Sequence, residues 1–139
     1  MCSSDLDIYL AVNKNSPLAS LKEIDLSTLK DETFLTLSKG FATRHDSDIV
    51  FEKAGIDPKV FLQVSDIFTL ISMVSTGVGL ALLPGRISTI YESSVKLIPL
   101  QAPYQIKQEI GLVFLKSKER DPNLLALIAE CRMFARQYL

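Results

Sequence analysis

The chain has 139 residues, 47% of them hydrophobic and 22% charged, with a formal net charge of −1. That size and composition exclude a disordered chain and support one domain with a real core. No more than two basic residues stand together, which argues against a surface that grips nucleic acid unaided.

The N-terminal MCSSDLDIYL lacks a basic start and a long apolar run, so no signal peptide is expected and the chain reads as cytoplasmic. Ile8, Leu10 and Val12 alternate with Tyr9, Ala11 and Asn13 as in a strand, which Asn15-Ser16-Pro17 ends. Residues 21–31 read as a loop with one helical turn, and Thr33 to Leu37 as a second strand. Ser38-Lys39-Gly40 turns the chain into a helix over Phe41 to Ala54, with Ile49, Val50 and Ala54 inward, stopped by Gly55 and Pro58.

The stretch from Val60 to Pro84 organises the rest. Val60 to Val64 reads as a strand. Ile67, Leu70, Ile71, Val74 and Val78 recur at helical spacing, and Leu80 to Leu83 run on as a continuous apolar block. The spacing predicts a helix over Ile67 to Thr76 capped by Asp66, a break at Gly77 and a buried strand over Gly79 to Leu83. The unit is one right-handed crossover in a parallel sheet. Nothing between Asp66 and Arg86 is charged, but polar residues, two glycines and the change of period favour a buried crossover over a membrane span.

Arg86 to Tyr91 reads as a short helix, and Val95 to Ile98 as a strand. Pro99 to Gln105 reads as a linker, and Glu109 to Leu115 as a further strand. Asp121 and Pro122 start a last helix with Leu124, Leu127, Ile128, Cys131, Phe134, Ala135 and Tyr138 on one face. Cys131 reads there as a small core residue. Strands alternating with helices give an α/β fold.

Little in this pattern supports catalysis. His45 is the only histidine, in a polar patch, RHDSD, that reads as a solvated first helical turn. No G-x-S-x-G elbow exists, and Asp46 and Asp48 face different ways on a helix. Cys2 and Cys131 make no close-spaced motif, and no metal-ligand pattern is present. The glycines follow a helix instead of preceding one, so they do not suit a nucleotide phosphate, and no metal or cofactor is expected.

Binding has the better case. Two helices start directly after strands, at Phe41 and Ile67, and each offers unpaired backbone N–H groups and a partial positive charge. Ser38 and Thr43 stand at one mouth and Ser65 at the other, with Phe41 and Phe68 as walls. The bland alternative is that the serines only cap their helices. The functional reading is a site for a small carboxylate where both mouths open on one sheet edge.

Four segments, NSPLA (15–19), DLSTLKDETFLTLSKG (25–40), FEKAGIDPKVFLQVSD (51–66) and LISMVSTGVGLALLP (70–84), stand in an order and spacing that resemble the effector-binding region of LysR-type transcriptional regulators. Asn15 departs from the histidine common there. The resemblance implies a fold like type II periplasmic binding proteins, a Rossmann-like mixed sheet with flanking helices, in two subdomains joined by crossing strands. Residues 13–108 would form the second subdomain. Residues 1–12 and 109–139 would supply crossing strands and the terminal helix of an incomplete first one. The chain would then be a fragment, without the helix-turn-helix that contacts DNA.

The resemblance also carries one wall of an effector cleft onto Ser38, Gly40, Phe41 and Thr43, and onto Ser65, Ile67 and Phe68. It implies a small-molecule effector, a homo-oligomer in the intact protein, and neither catalysis nor membrane binding. Residues 85–100 and 119–135 look like regulators of malonate-utilisation genes. Two other functions compete: a solute-binding domain of a transport system, and a dehydratase-like enzyme of the same fold, whose threonine–arginine pair Thr43-Arg44 resembles.

Overall fold

The computed structural model describes residues 7–89, 94–106, 108 and 111–138. They fall into two compact units, one within Leu6–Gln108 and one within Glu109–Leu139.

The larger unit runs β1 (Ile8–Asn13), β2 (Thr33–Leu37), α1 (Ala42–Ala54), β3 (Lys59–Val64), α2 (Ile67–Ser75), β4 (Ala81–Pro84) and β5 (Val95–Pro99), with short 3-10 turns between. β1 lies between β4 and β5 and is antiparallel to both, with Leu10 opposite Leu82 on one side and Ile98 on the other. β2 and β3 pair in parallel, ending with Leu37 opposite Val64. Leu80 joins the two ladders: its N–H donates to the Thr33 carbonyl at 2.9 Å, and its carbonyl accepts from Leu35 N–H at 2.7 Å. The strands therefore follow one another across the sheet as β3, β2, β4, β1, β5. The expected crossover between parallel strands is present, within the mixed sheet that the family resemblance implied. β3 and β4 run the same way, but β2 lies between them, and β1 makes the sheet mixed.

Both faces of β1, β2 and β4 are covered, because side chains alternate along each strand. Leu10, Val12, Phe34, Leu80, Leu82 and Ile98 pack on one side with Val50 and Phe51 of α1. Ala11, Leu35, Leu37, Ala81 and Leu83 pack on the other with Leu70, Ile71 and Val74 of α2. Phe51, which the helical pattern did not single out, meets Phe34 edge to face with ring centroids 4.9 Å apart. Ile49 and Ala54 are only half-buried.

The two glycines after α2 do different work. Gly77 has φ +79, a left-handed conformation that suits glycine. At Gly79 a Cβ would stand 2.9 Å from the Thr33 carbonyl oxygen and 3.1 Å from Leu35 Cγ, so the strands close only without a side chain. Asn13 Nδ2 donates to the Ser75 carbonyl, tying the end of β1 to the last turn of α2.

Gly85–Thr89 form a short 3-10 helix over the described part of the helix expected from Arg86; Ile90 and Tyr91 lie outside the described residues. β3 shows Val60, Phe61 and Leu62 at 38%, 63% and 40% exposure, and among the described residues it pairs on one side only.

The smaller unit holds α3 (Pro122–Tyr138). Asp121 caps it, its Oδ1 accepting from Asn123 N–H at 3.0 Å. Two expectations are corrected here. Among the described residues, 111–115 form no strand and pair with no other strand; Glu109 and Ile110 lie outside the described residues. Cys131 is exposed and so not the core residue expected; of the described stripe, Leu127 and Phe134 are exposed too, and Leu124, Ile128 and Ala135 are half-buried. The side chain of Tyr138 lies outside the described residues.

Candidate functional site

β2 and β3 end side by side. The Ser38 N–H donates to the Val64 carbonyl at 2.8 Å, and Ser38 Oγ donates to the same carbonyl at 3.2 Å. Ser38 therefore ties the two strand ends together and does not cap a helix. From these adjacent ends the chain leaves in opposite directions, into α1 on one face and α2 on the other. Neighbouring strands whose outgoing connections part in this way open a crevice at their carboxyl ends, the usual ligand position in open α/β sheets.

The two helix mouths differ. Gly40 turns the chain with φ +105, and Phe41 takes the N-cap position in extended conformation without a side-chain capping bond. The Phe41 carbonyl accepts from Arg44 and His45 at 3.1 Å each, the start of the helical ladder. A phenylalanine at N-cap cannot accept the first N–H groups, so they are left to solvent or a ligand. Phe41 is 40% exposed at this mouth. Thr43 is buried in the first turn, its carbonyl accepting from Ser47 Oγ at 2.7 Å.

Three basic residues surround the α1 mouth. A surface depression of about 460 Å³ is lined by Lys39, Gly40, Phe41, Ala42, Arg44, His45 and Asp48. Arg44 Nη1 donates to the Leu37 carbonyl at 3.0 Å, and its Nε to Asp48 Oδ1 at 2.8 Å. The guanidinium is thus held at the end of β2 by its main chain and by a carboxylate one helical turn on. Sequence reasoning took RHDSD for a solvated turn and missed this. The signal was the four-residue spacing of Arg44 and Asp48.

The α2 mouth is already occupied. Asp66 takes the N-cap position, and its Oδ2 accepts from Thr69 N–H at 2.7 Å. That backbone donor holds the Asp66 carboxyl below the ordinary 3.8. Ser65 is exposed, Ile67 packs partly against the core, and Phe68 is 51% exposed. A depression of about 430 Å³ along α2 is lined by Asp66, Phe68, Thr69, Ser72, Met73, Thr76 and Val78, and it shares no residue with that at α1. The strand ends thus bring Ser38 close to Ser65 in space, while the two depressions stay distinct.

Among the described residues no group of three His, Cys, Asp or Glu side chains is placed to hold a metal ion, and no helix is long and apolar enough to cross a membrane.

Comparison with known proteins agrees with this architecture. The family model described as LysR substrate binding domain matches residues 4–136. A malonate utilization transcriptional regulator of Klebsiella pneumoniae is 45% identical over 130 residues, 94% of this chain and 42% of that protein. The transcriptional dual regulator GltC of Bacillus subtilis is 32% identical over 119 residues, 84% of this chain and 39% of that protein. The chain thus spans about two fifths of the length of these curated relatives.

Solved structures share the fold. The effector binding domain of QuiR in complex with shikimate superposes with a TM-score of 0.71 at 20% identity, covering 95% of this chain and 62% of that one. HinK, a LysR family regulator from Pseudomonas aeruginosa, gives 0.74 at 21% identity, covering 91% and 44%.

Proposed function

Because the chain belongs to the LysR substrate-binding domain family, with its periplasmic-binding-protein-like α/β fold, we propose that it is the effector-sensing part of a cytoplasmic transcription regulator and binds a small carboxylate. The observation that carries this reading is the crevice where β2 and β3 end and α1 begins uncapped, with Lys39, Arg44 and His45 around it. An anion there is attracted by the helix end and by the positive charges of Lys39 and Arg44. Ser38, Gly40, Phe41 and Thr43 form this part of the site in our reading. Ser65, Ile67 and Phe68 form the flank at α2, where Asp66 already supplies a carboxylate.

The chain's regulatory role is sensing, not catalysis. DNA contact, in this proposal, belongs to a helix-turn-helix elsewhere in the intact regulator. Subdomain boundaries near residues 13 and 108 are part of the same reading. Self-association of the intact protein is supported by the exposed edge of β3 with Val60, Phe61 and Leu62. The kinship to a malonate utilization regulator makes small dicarboxylates the first ligands to try.

Two charge-assisted hydrogen bonds from a helix end, at roughly 1.5–3 kcal/mol each, correspond to Kd values around ~mM. Titration of the 15N-labelled chain with malonate and acetate is expected to move the amide signals of residues 40–45 in that range. Shifts confined to other parts of the chain, or none at tens of millimolar (about −2 kcal/mol), would remove the basis for this site.

A further inference from the structure

Asp46 lies one turn inside the open end of α1, and its carboxylate does not face the mouth. Its Oδ2 accepts a hydrogen bond from Gln108 Nε2 at 2.6 Å. Gln108 is only 8% exposed and is the last residue of the larger unit. The segment before it also rests on α1. Lys53 Nζ donates to the Gln105 carbonyl at 3.3 Å, and Tyr104 and Ile106 pack against the core that holds Val50 and Phe51. The Ile106 carbonyl accepts from Ile8 N–H at 3.2 Å, so the outgoing segment runs beside the first residues of β1. The start of β1 and the last residue of the larger unit are thus tied by hydrogen bonds within one region of that unit.

We infer that Asp46 is a positioning residue that latches Gln108 to the first turns of α1, so that the helix end offered to a ligand and the last residue of the larger unit move as one body. The chemistry suits a latch. A carboxylate–amide bond is charge-assisted, and a buried primary amide that loses its partner is left without its hydration. Thr43 and Asp46 are three residues apart on one helix, so a shift of the first turn reaches Gln108 through a single side chain. The ligand-linked part of this inference rests on the proposed reading of the α1 mouth; the latch itself does not.

The test uses the whole 15N-labelled chain and its Asp46→Ala, Asp46→Asn and Gln108→Leu variants, with malonate as the probe. Without malonate, Asp46→Ala is expected to speed exchange of the Ile8 amide by about tenfold, as the loss of one such bond implies. It should also release the Gln108 side-chain signals to free-amide positions. Protection of Leu70, Ile71 and Val74 should not change. Asp46→Asn keeps an acceptor oxygen and should restore most of the protection. Gln108→Leu should reproduce the Ile8 effect from the other side, and serves if Asp46→Ala does not fold. Unchanged Ile8 exchange in both truncating variants overturns the latch.

With malonate, the parent chain should show shifts at residues 40–45 and at the Gln108 side chain, and Asp46→Ala should keep only the former. Shifts at 40–45 that never reach Gln108 overturn the transmission. If malonate moves nothing at 40–45, the site reading falls, and the exchange data still decide the latch.

Discussion

α1 and α2 start from hydrogen-bonded neighbours in one sheet, yet their first turns meet opposite fates. α2 carries its own anion: Asp66 is bound to Thr69 N–H and held below the ordinary carboxylate pKa. α1 has a phenylalanine at the corresponding position, no capping bond, and Lys39, Arg44 and His45 close by. A helix end that already holds a carboxylate has little left for a soluble one. The lesson is that strand-to-helix order locates a crevice, while one side chain at N-cap decides whether it is open.

The most disruptive test removes the frame that both mouths share. Gly79→Val should drive β2 and β4 apart, since even a Cβ would meet the Thr33 carbonyl at 2.9 Å. Overpacking of this kind costs about 1–3 kcal/mol, and both helix ends should lose their positions together. Denaturant unfolding would measure it, and an unchanged midpoint would refute the close approach.

Next, α1 can be given what α2 has. Phe41→Asp supplies an internal carboxylate and should stabilise the chain by about 0.5–2 kcal/mol while abolishing malonate shifts at residues 40–45. A variant that is more stable and still binds malonate there would separate capping from anion binding.

The reverse exchange opens α2. Asp66→Ala should expose its first N–H groups, lower amide protection over residues 67–75 and let malonate shift them. Acid should do the same to the parent chain. Because the folded Asp66 pKa is depressed, its contribution is complete above the unfolded value of 3.8 and is lost as pH falls through the lower folded value. Amides of α2 should respond in that window. A carboxyl that titrates at or above 3.8 would contradict the cap.

The smallest effect concerns the charge pair beside the open mouth. Asp48 is half-exposed and one turn from Arg44. Asp48→Ala should therefore cost only about 0.3–0.5 kcal/mol. It should tighten malonate binding, by removing the one acidic group that lines the depression.

Much of this was readable before any coordinates. The alternation in IYLAVN, the helical spacing from Ile67 to Val74 and the Asp66 cap are local, and each appears where the pattern places it. The near-uniform run ALLP correctly signals burial on both faces. What was not readable depends on distant partners. No local pattern says that β2 slips between β3 and β4. The apolar stripes of residues 111–115 and α3 have the right period, yet period alone does not provide a surface to cover them. Within the candidate site, the two starts after strands were visible. The fold of Arg44 back onto the Leu37 carbonyl was not, because it depends on where β2 ends in space.

β1 is the first strand of the sheet to leave the ribosome, but both its hydrogen-bonding neighbours come from residues 81–99. During synthesis its apolar residues must wait for more than half the chain, while β2, α1 and β3 can already assemble from contacts close in sequence. The wait makes β1 the strand of this sheet most in need of shelter by a chaperone. Pulse-labelled hydrogen exchange should find α1 protected before Leu10 and Val12, and the opposite order would remove that need.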